Sequence, residues 1–113
     1  MILPEIFTAR GVPGLVKDEF KLTCLKRKER LGQVVTSLMI EYIALSGFET
    51  SLWPGFERVT WASVRPGDEV WIAGAMLGQP FAYGPHTVIK DRVLCNKLGE
   101  EFKQHPDVLL RKL

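Results

Sequence analysis

The chain has 113 residues, 46% of them hydrophobic and 25% charged, with a formal net charge of +2. This length suits one ordinary domain or two very small ones, and the balance is that of a globular protein, not a disordered one. The longest apolar stretch, Val34 to Leu45, is interrupted by Thr36, Ser37 and Glu41, so no membrane span is expected. Met1-Ile2-Leu3-Pro4-Glu5 lacks the basic start and apolar core of a signal peptide. Cys24 and Cys95 are far apart without a CxxC, the pattern of reduced thiols, and a cytoplasmic location is expected.

Charge is unevenly placed. Residues 1–45 carry seven Lys and Arg against five Asp and Glu, and residues 46–113 eight against eight. The excess centres on Lys26-Arg27-Lys28-Glu29-Arg30. A basic cluster attracts phosphate, although a solvated helix end looks the same.

In chain order, Glu5-Ile6-Phe7-Thr8-Ala9-Arg10 reads as extended and is ended by Gly11-Val12-Pro13-Gly14. Pro13 suits the first turn of a helix, where a missing N–H costs nothing. A first helix is expected from about Leu15 to Lys28, with Val16, Phe20 and Cys24 four apart. In a second helix, Leu31, Val34, Val35, Leu38, Met39, Tyr42 and Ile43 recur with the period of one helical face. Ile40, Ala44 and Leu45 add apolar surface off that face. So much apolar surface on so short a segment needs a second cover. Forty-five residues are few to fold alone, and a C2 homodimer with a core of Val34, Val35, Leu38, Met39 and Tyr42 is the simplest solution. Cover by the C-terminal half is the alternative.

After Ser46 the turn signals become dense. Residues 47–55 read as a linker and 56–113 as a small β domain of about five short strands. Pro66-Gly67 launches a strand at Glu69. Gly74 to Pro85 is Gly-rich and holds Phe81 and Tyr83, and Thr87-Val88-Ile89, Val93-Leu94-Cys95 and Val108-Leu109-Leu110 read as strands.

Val12-Pro13, Phe20-Lys21-Leu22-Thr23-Cys24 and Leu31-Gly32-Gln33-Val34-Val35-Thr36-Ser37-Leu38-Met39-Ile40-Glu41-Tyr42-Ile43 resemble the ribbon-helix-helix DNA-binding proteins, over about residues 5–46. The resemblance implies that two opening strands pair into a ribbon that enters the major groove of duplex DNA. It makes Thr8 and Arg10 the base readers, with Phe7 facing the core. It directs the start of the second helix, Leu31 and Gly32 with Lys28 and Arg30 beside them, at a phosphate. This chain departs from the family in needing a bulge at Gly11. It also carries Lys28 and Arg30 where glycine and a capping Ser or Thr are usual.

The Arg65-Pro66-Gly67-Asp68-x-Val70 start and the Asp107-Val108-Leu109-Leu110-Arg111-Lys112 ending resemble SH3-like barrels. That implies a long first loop and a partner groove, for which Trp71, Phe81, Tyr83 and His86 are candidates. The alternative for Trp61, Trp71 and Phe81 is that they fill the core.

Enzyme chemistry has little support. Cys95 with His86 or His105, oriented by Asp91 or Asp107, would make an activated thiolate, but Cys95 sits in an apolar strand pattern of the kind that buries inert thiols. No metal-ligand spacing, phosphate loop or dinucleotide fingerprint occurs. The expectation is therefore an α+β protein: ribbon-helix-helix at 1–46, linker at 47–55 and SH3-like barrel at 56–113. It is expected to act as a dimeric DNA-binding transcriptional regulator with no enzyme activity, cofactor or metal. The alternative is a protein-interaction adaptor whose helical half only dimerises and whose barrel docks a protein.

Overall fold

The computed structural model describes residues 11–113. Two helices come first, α1 (Gly14–Lys26) and α2 (Leu31–Ser46). Six strands follow: β1 (Phe56–Val59), β2 (Glu69–Met76), β3 (Gln79–Lys90), β4 (Val93–Cys95), β5 (Glu101–Lys103) and β6 (Leu109–Lys112), with a 3-10 turn at Trp61–Ser63. All six strands belong to one antiparallel sheet in the order β1-β6-β2-β3-β4-β5.

This corrects the expected architecture. The helices precede every described strand, and the fold is a helical hairpin followed by an antiparallel sheet, not a strand-helix-helix unit followed by a barrel. The segment Glu5–Arg10, assigned above to the opening strand, lies outside the described residues.

The helical half is also not a unit apart. Ile40 and Ala44 are the buried residues of α2, and they join Trp53, Ala73, Ala75, Val108 and Leu110 in one cluster. Small side chains at Ala73 and Ala75 of β2 let the helix approach the sheet closely. Side chains alternate along a strand, so β2 sends Trp71, Ala73 and Ala75 toward α2 and Val70 to the other face. There a second cluster forms from Val59, Trp61, Val70, Val88, Leu94 and Leu109, drawn from five strands and the 3-10 turn. The alternation repeats in β6, where Leu109 belongs to the second cluster and Leu110 to the first. The C-terminal half thus covers one face of α2, which was the alternative reading of its excess apolar surface.

Two local features were hidden from composition. The Gly-rich stretch from Gly74 to Pro85, to which sequence alone assigns no element, holds a tight hairpin. Met76 pairs with Gln79 across Leu77-Gly78, whose φ values of 52° and 76° are both positive. This is the mirror-image turn that matches strand twist, and Asn or Gly is usual where Leu77 stands. The expected linker is likewise structural. Trp53 is buried, and its indole N–H donates to the carbonyls of Gly74 and Phe81, at 3.3 and 3.1 Å.

Arg58 of β1 ties the hairpin to the sheet. Its guanidinium donates to the Ala44 carbonyl at 2.8 Å and to the Asp107 carbonyl at 2.9 Å. A cation suits the last turn of α2, whose carbonyls lack helical partners. Arg58→Ala leaves two part-buried carbonyls unpaired, and we expect a loss of about 2 kcal/mol, read as a lower urea midpoint at unchanged m-value.

Candidate functional site

The basic cluster is built by the join between the helices. Pro13 supplies the entry to α1 with φ of −56°, and the Lys17 N–H donates to its carbonyl. At the far end Lys28 stands in the left-handed region, φ 56°. The Glu29 N–H donates to the Cys24 carbonyl at 2.9 Å and the Lys28 N–H to the Leu25 carbonyl at 3.1 Å. Together these bonds form a Schellman motif with lysine where glycine is usual. The missing glycine of the sequence pattern is thus a backbone position filled by a strained lysine, which keeps its charge at the turn.

Two residues later α2 begins. Arg30 is its N-cap and makes no side-chain capping bond. The first helical bond runs from the Val34 N–H to the Arg30 carbonyl, which leaves the amides of Leu31, Gly32 and Gln33 without partners in the helix. Those amides, Lys28 and Arg30 are therefore assembled at one end of the hairpin. Of the basic residues there, Arg27 is paired with Glu29; among the described residues Lys28 and Arg30 have no ion-pair partner. An open cleft of about 450 Å³ lies between this turn and the tip of the β2–β3 hairpin. Basic Arg27, Lys28 and Arg30 line it together with acidic Glu29 and Glu41 and apolar Leu77. The cleft is kept in shape by the Gly78 N–H, which donates to Ser37 Oγ at 2.8 Å.

The other face of α2 is apolar and uncovered. Leu31, Leu38, Tyr42 and Leu45 are exposed, Tyr42 by 75%, and Val35 is half-buried. These five residues recur at alternating steps of four and three, the spacing of a helix–helix seam. At 100° per residue they lie opposite Ile40 and Ala44. Leu15, Leu22 and Leu25 leave a similar stripe on α1. Of the expected dimer core, Val35, Leu38 and Tyr42 lie on the seam, with Val35 half-buried, while Val34 and Met39 are half-buried beside it. Thr8 and Arg10, expected to read bases, lie outside the described residues.

The expected partner groove is not assembled. Trp71 meets Phe56 edge-on at 5.3 Å on the α2 side of the sheet. Phe81 and Tyr83 pack against each other at 4.6 Å, opposite Gly74 and Ile72, and therefore on the other face. Tyr83 is fixed by its hydroxyl, which donates to the Ala75 carbonyl at 2.6 Å. A side chain at Gly74 would strike the Tyr83 ring, its Cβ falling 2.6 Å from the nearest ring carbon. His86 lies further along that face, against Phe102. Aromatic counting in sequence cannot see this separation, because the bulge between Val70 and Ile72 resets the pairing.

No group of three metal-ligating side chains occurs among the described residues, and no described helix is long and apolar enough to cross a membrane. Comparison with family models, with curated proteins and with solved structures returns no match for the chain.

The strained turn gives a direct check. Lys28→Gly relieves the left-handed backbone and we expect it to stabilise the fold by about 1 kcal/mol, measured as a raised thermal midpoint; an unchanged or lowered midpoint contradicts the motif.

Proposed function

We propose that the chain is a DNA-binding protein that works as a homodimer. The observation that carries this reading is the two-sided hairpin. One face of α2 is spent on the sheet, the opposite face is an unpartnered seam, and the turn at its end gathers Lys28, Arg30 and three helix-start amides. Backbone amides and basic side chains at a helix start are a ready site for a phosphate group. Pairing two copies through the seam places two such turns on one particle, and a duplex offers repeated phosphates to both. Charge in the sheet region is balanced, whereas the excess lies in the N-terminal part, so the hairpin is the end that attracts a polyanion. Base recognition falls to Thr8 and Arg10, on the sequence resemblance alone.

The second reading, a protein-binding adaptor, has an observation of its own. Met76, Leu77 and Phe81 expose apolar surface at the tip of the β2–β3 hairpin, a surface that suits a protein partner better than DNA. Recovery of one protein from nuclease-treated lysate, lost on Leu77→Asp, would favour it.

Self-association is checked by sedimentation equilibrium. The wild type is expected to be a dimer at micromolar concentration, and Leu38→Glu to raise the dissociation constant roughly 100-fold. A wild type that remains a single copy ends the dimer reading. DNA binding is checked by fluorescence anisotropy with random duplex at several salt concentrations. Binding is expected at roughly 50 mM salt, with a steep salt dependence. Lys28→Ala and Arg30→Ala should each flatten the slope by about one, and Arg10→Ala should relax sequence preference. Affinity that is absent at low salt, or indifferent to salt, refutes the DNA reading.

A further inference from the structure

The sheet ends on its thinnest strand. β5 has three residues, and its register partners are Val93, Leu94 and Cys95 of β4 alone. Phe102, opposite Leu94, is its inward side chain. The Phe102 ring meets His86 of β3 edge-to-face, with centroids 5.4 Å apart and planes at 82°. His86 is paired with fully buried Val70 and lies two residues before buried Val88. The His86 ring therefore shares its face with Val70, Val88, Leu94 and Phe102, all apolar. Its Nδ1 is buried and has no hydrogen-bond partner.

The charged and titratable groups of the surrounding strands are turned elsewhere. Glu69 pairs with Thr87, Cys95 pairs with Thr87 and with Glu101, and Lys90 and Lys103 both pair with Val93, so alternation sets them on the opposite face. Asp68 is occupied by the Arg65 N–H, and the Tyr83 hydroxyl by the Ala75 carbonyl. Among the described strand residues, no carboxylate shares the ring's face to balance a second proton.

We propose that His86 is an acid-operated latch on this edge: protonation of its ring releases β5 from β4. A neutral imidazole needs one donor and one acceptor contact, whereas the cation must donate from both nitrogens. The buried Nδ1 makes no hydrogen bond within the described residues, and the Tyr83 and Val70 carbonyls only partly offset the cost of burying a second proton, so the cation is driven toward water and Phe102 loses its contact with this ring. β5 is then held by its three-residue pairing with β4 and by the remaining contact of Phe102 with the second cluster. Burial pushes the His86 pKa below its ordinary value of 6.5, opposed by the nearby carbonyls of Tyr83 and Val70. The closed edge therefore favours the neutral ring. Its stability is complete above the ordinary histidine value and is lost as pH falls below it, because the released form binds the proton more readily.

Amide hydrogen exchange of the full chain, followed by NMR and corrected for intrinsic rates, tests this. Between about pH 7.5 and about pH 5.5 the protection of the β4–β5 amides is expected to fall several-fold, with about tenfold the ceiling for one histidine, while the amides shared by β2 and β6 change less than twofold. His86→Gln should abolish the difference, and His105→Gln should retain it. In the wild type the His86 ring must titrate below 6.5, at the midpoint of the protection loss, a comparison that needs no variant. Protection that is independent of pH, that falls across the whole sheet, or that still falls in His86→Gln overturns the latch.

Discussion

The fit of α2 onto β2 is the constraint on which the rest depends. Ile40 and Ala44 need a flat partner, and Ala73 and Ala75 provide one without pushing the helix away. Larger side chains at those two positions would separate helix and sheet and open voids, and interiors pack too tightly to tolerate either. Once this contact forms, other ties follow at both ends of the helix. Ser37 receives the Gly78 N–H near its start, and Arg58 holds the Ala44 carbonyl near its end. The hairpin is thereby oriented, with its basic turn beside the tip of β2–β3 and its apolar seam turned outward.

The helices were legible in sequence because their signals are local. Pro13 and the period of Leu31 to Ile43 are visible to any reading that counts residues. Strands at Glu69, Val93 and Val108 were close to their observed places for the same reason, whereas Thr87-Val88-Ile89 is only the end of β3, which begins at Gln79. What escaped were features decided by tertiary contact. Leu77 is a poor residue for its turn, so the β2–β3 hairpin carried no turn signal in sequence. Trp53 sits in a segment of turn-forming residues, and only the finished sheet shows that it is core. The cover over α2 was equally invisible, because periodicity tells which side is apolar but not what lies on it. The strand-helix-helix expectation failed on this point: the described helices belong to the sheet that follows them.

The candidate site was half legible. Lys28, Arg30 and the helix start were identified from residue type and position, and the structure brings them together. Of Trp71, Phe81, Tyr83 and His86, Trp71 lies on the α2 face, and the strand bulge sets the other three on the opposite face. Lys28 shows how a departure from a motif is to be read. Glycine is usual at this position of the motif because of a backbone conformation, and that conformation is present here although the glycine is not.

Trp53 has a consequence of a different kind. Its indole lies in the short connector between helices and sheet, yet it bonds across both strands of the β2–β3 hairpin and packs in the cluster that seats α2. The chain therefore carries a built-in optical probe at its central seam. With Trp61 and Trp71 replaced by phenylalanine, emission from this ring reports whether helix, connector and sheet are still joined, and does so without a label.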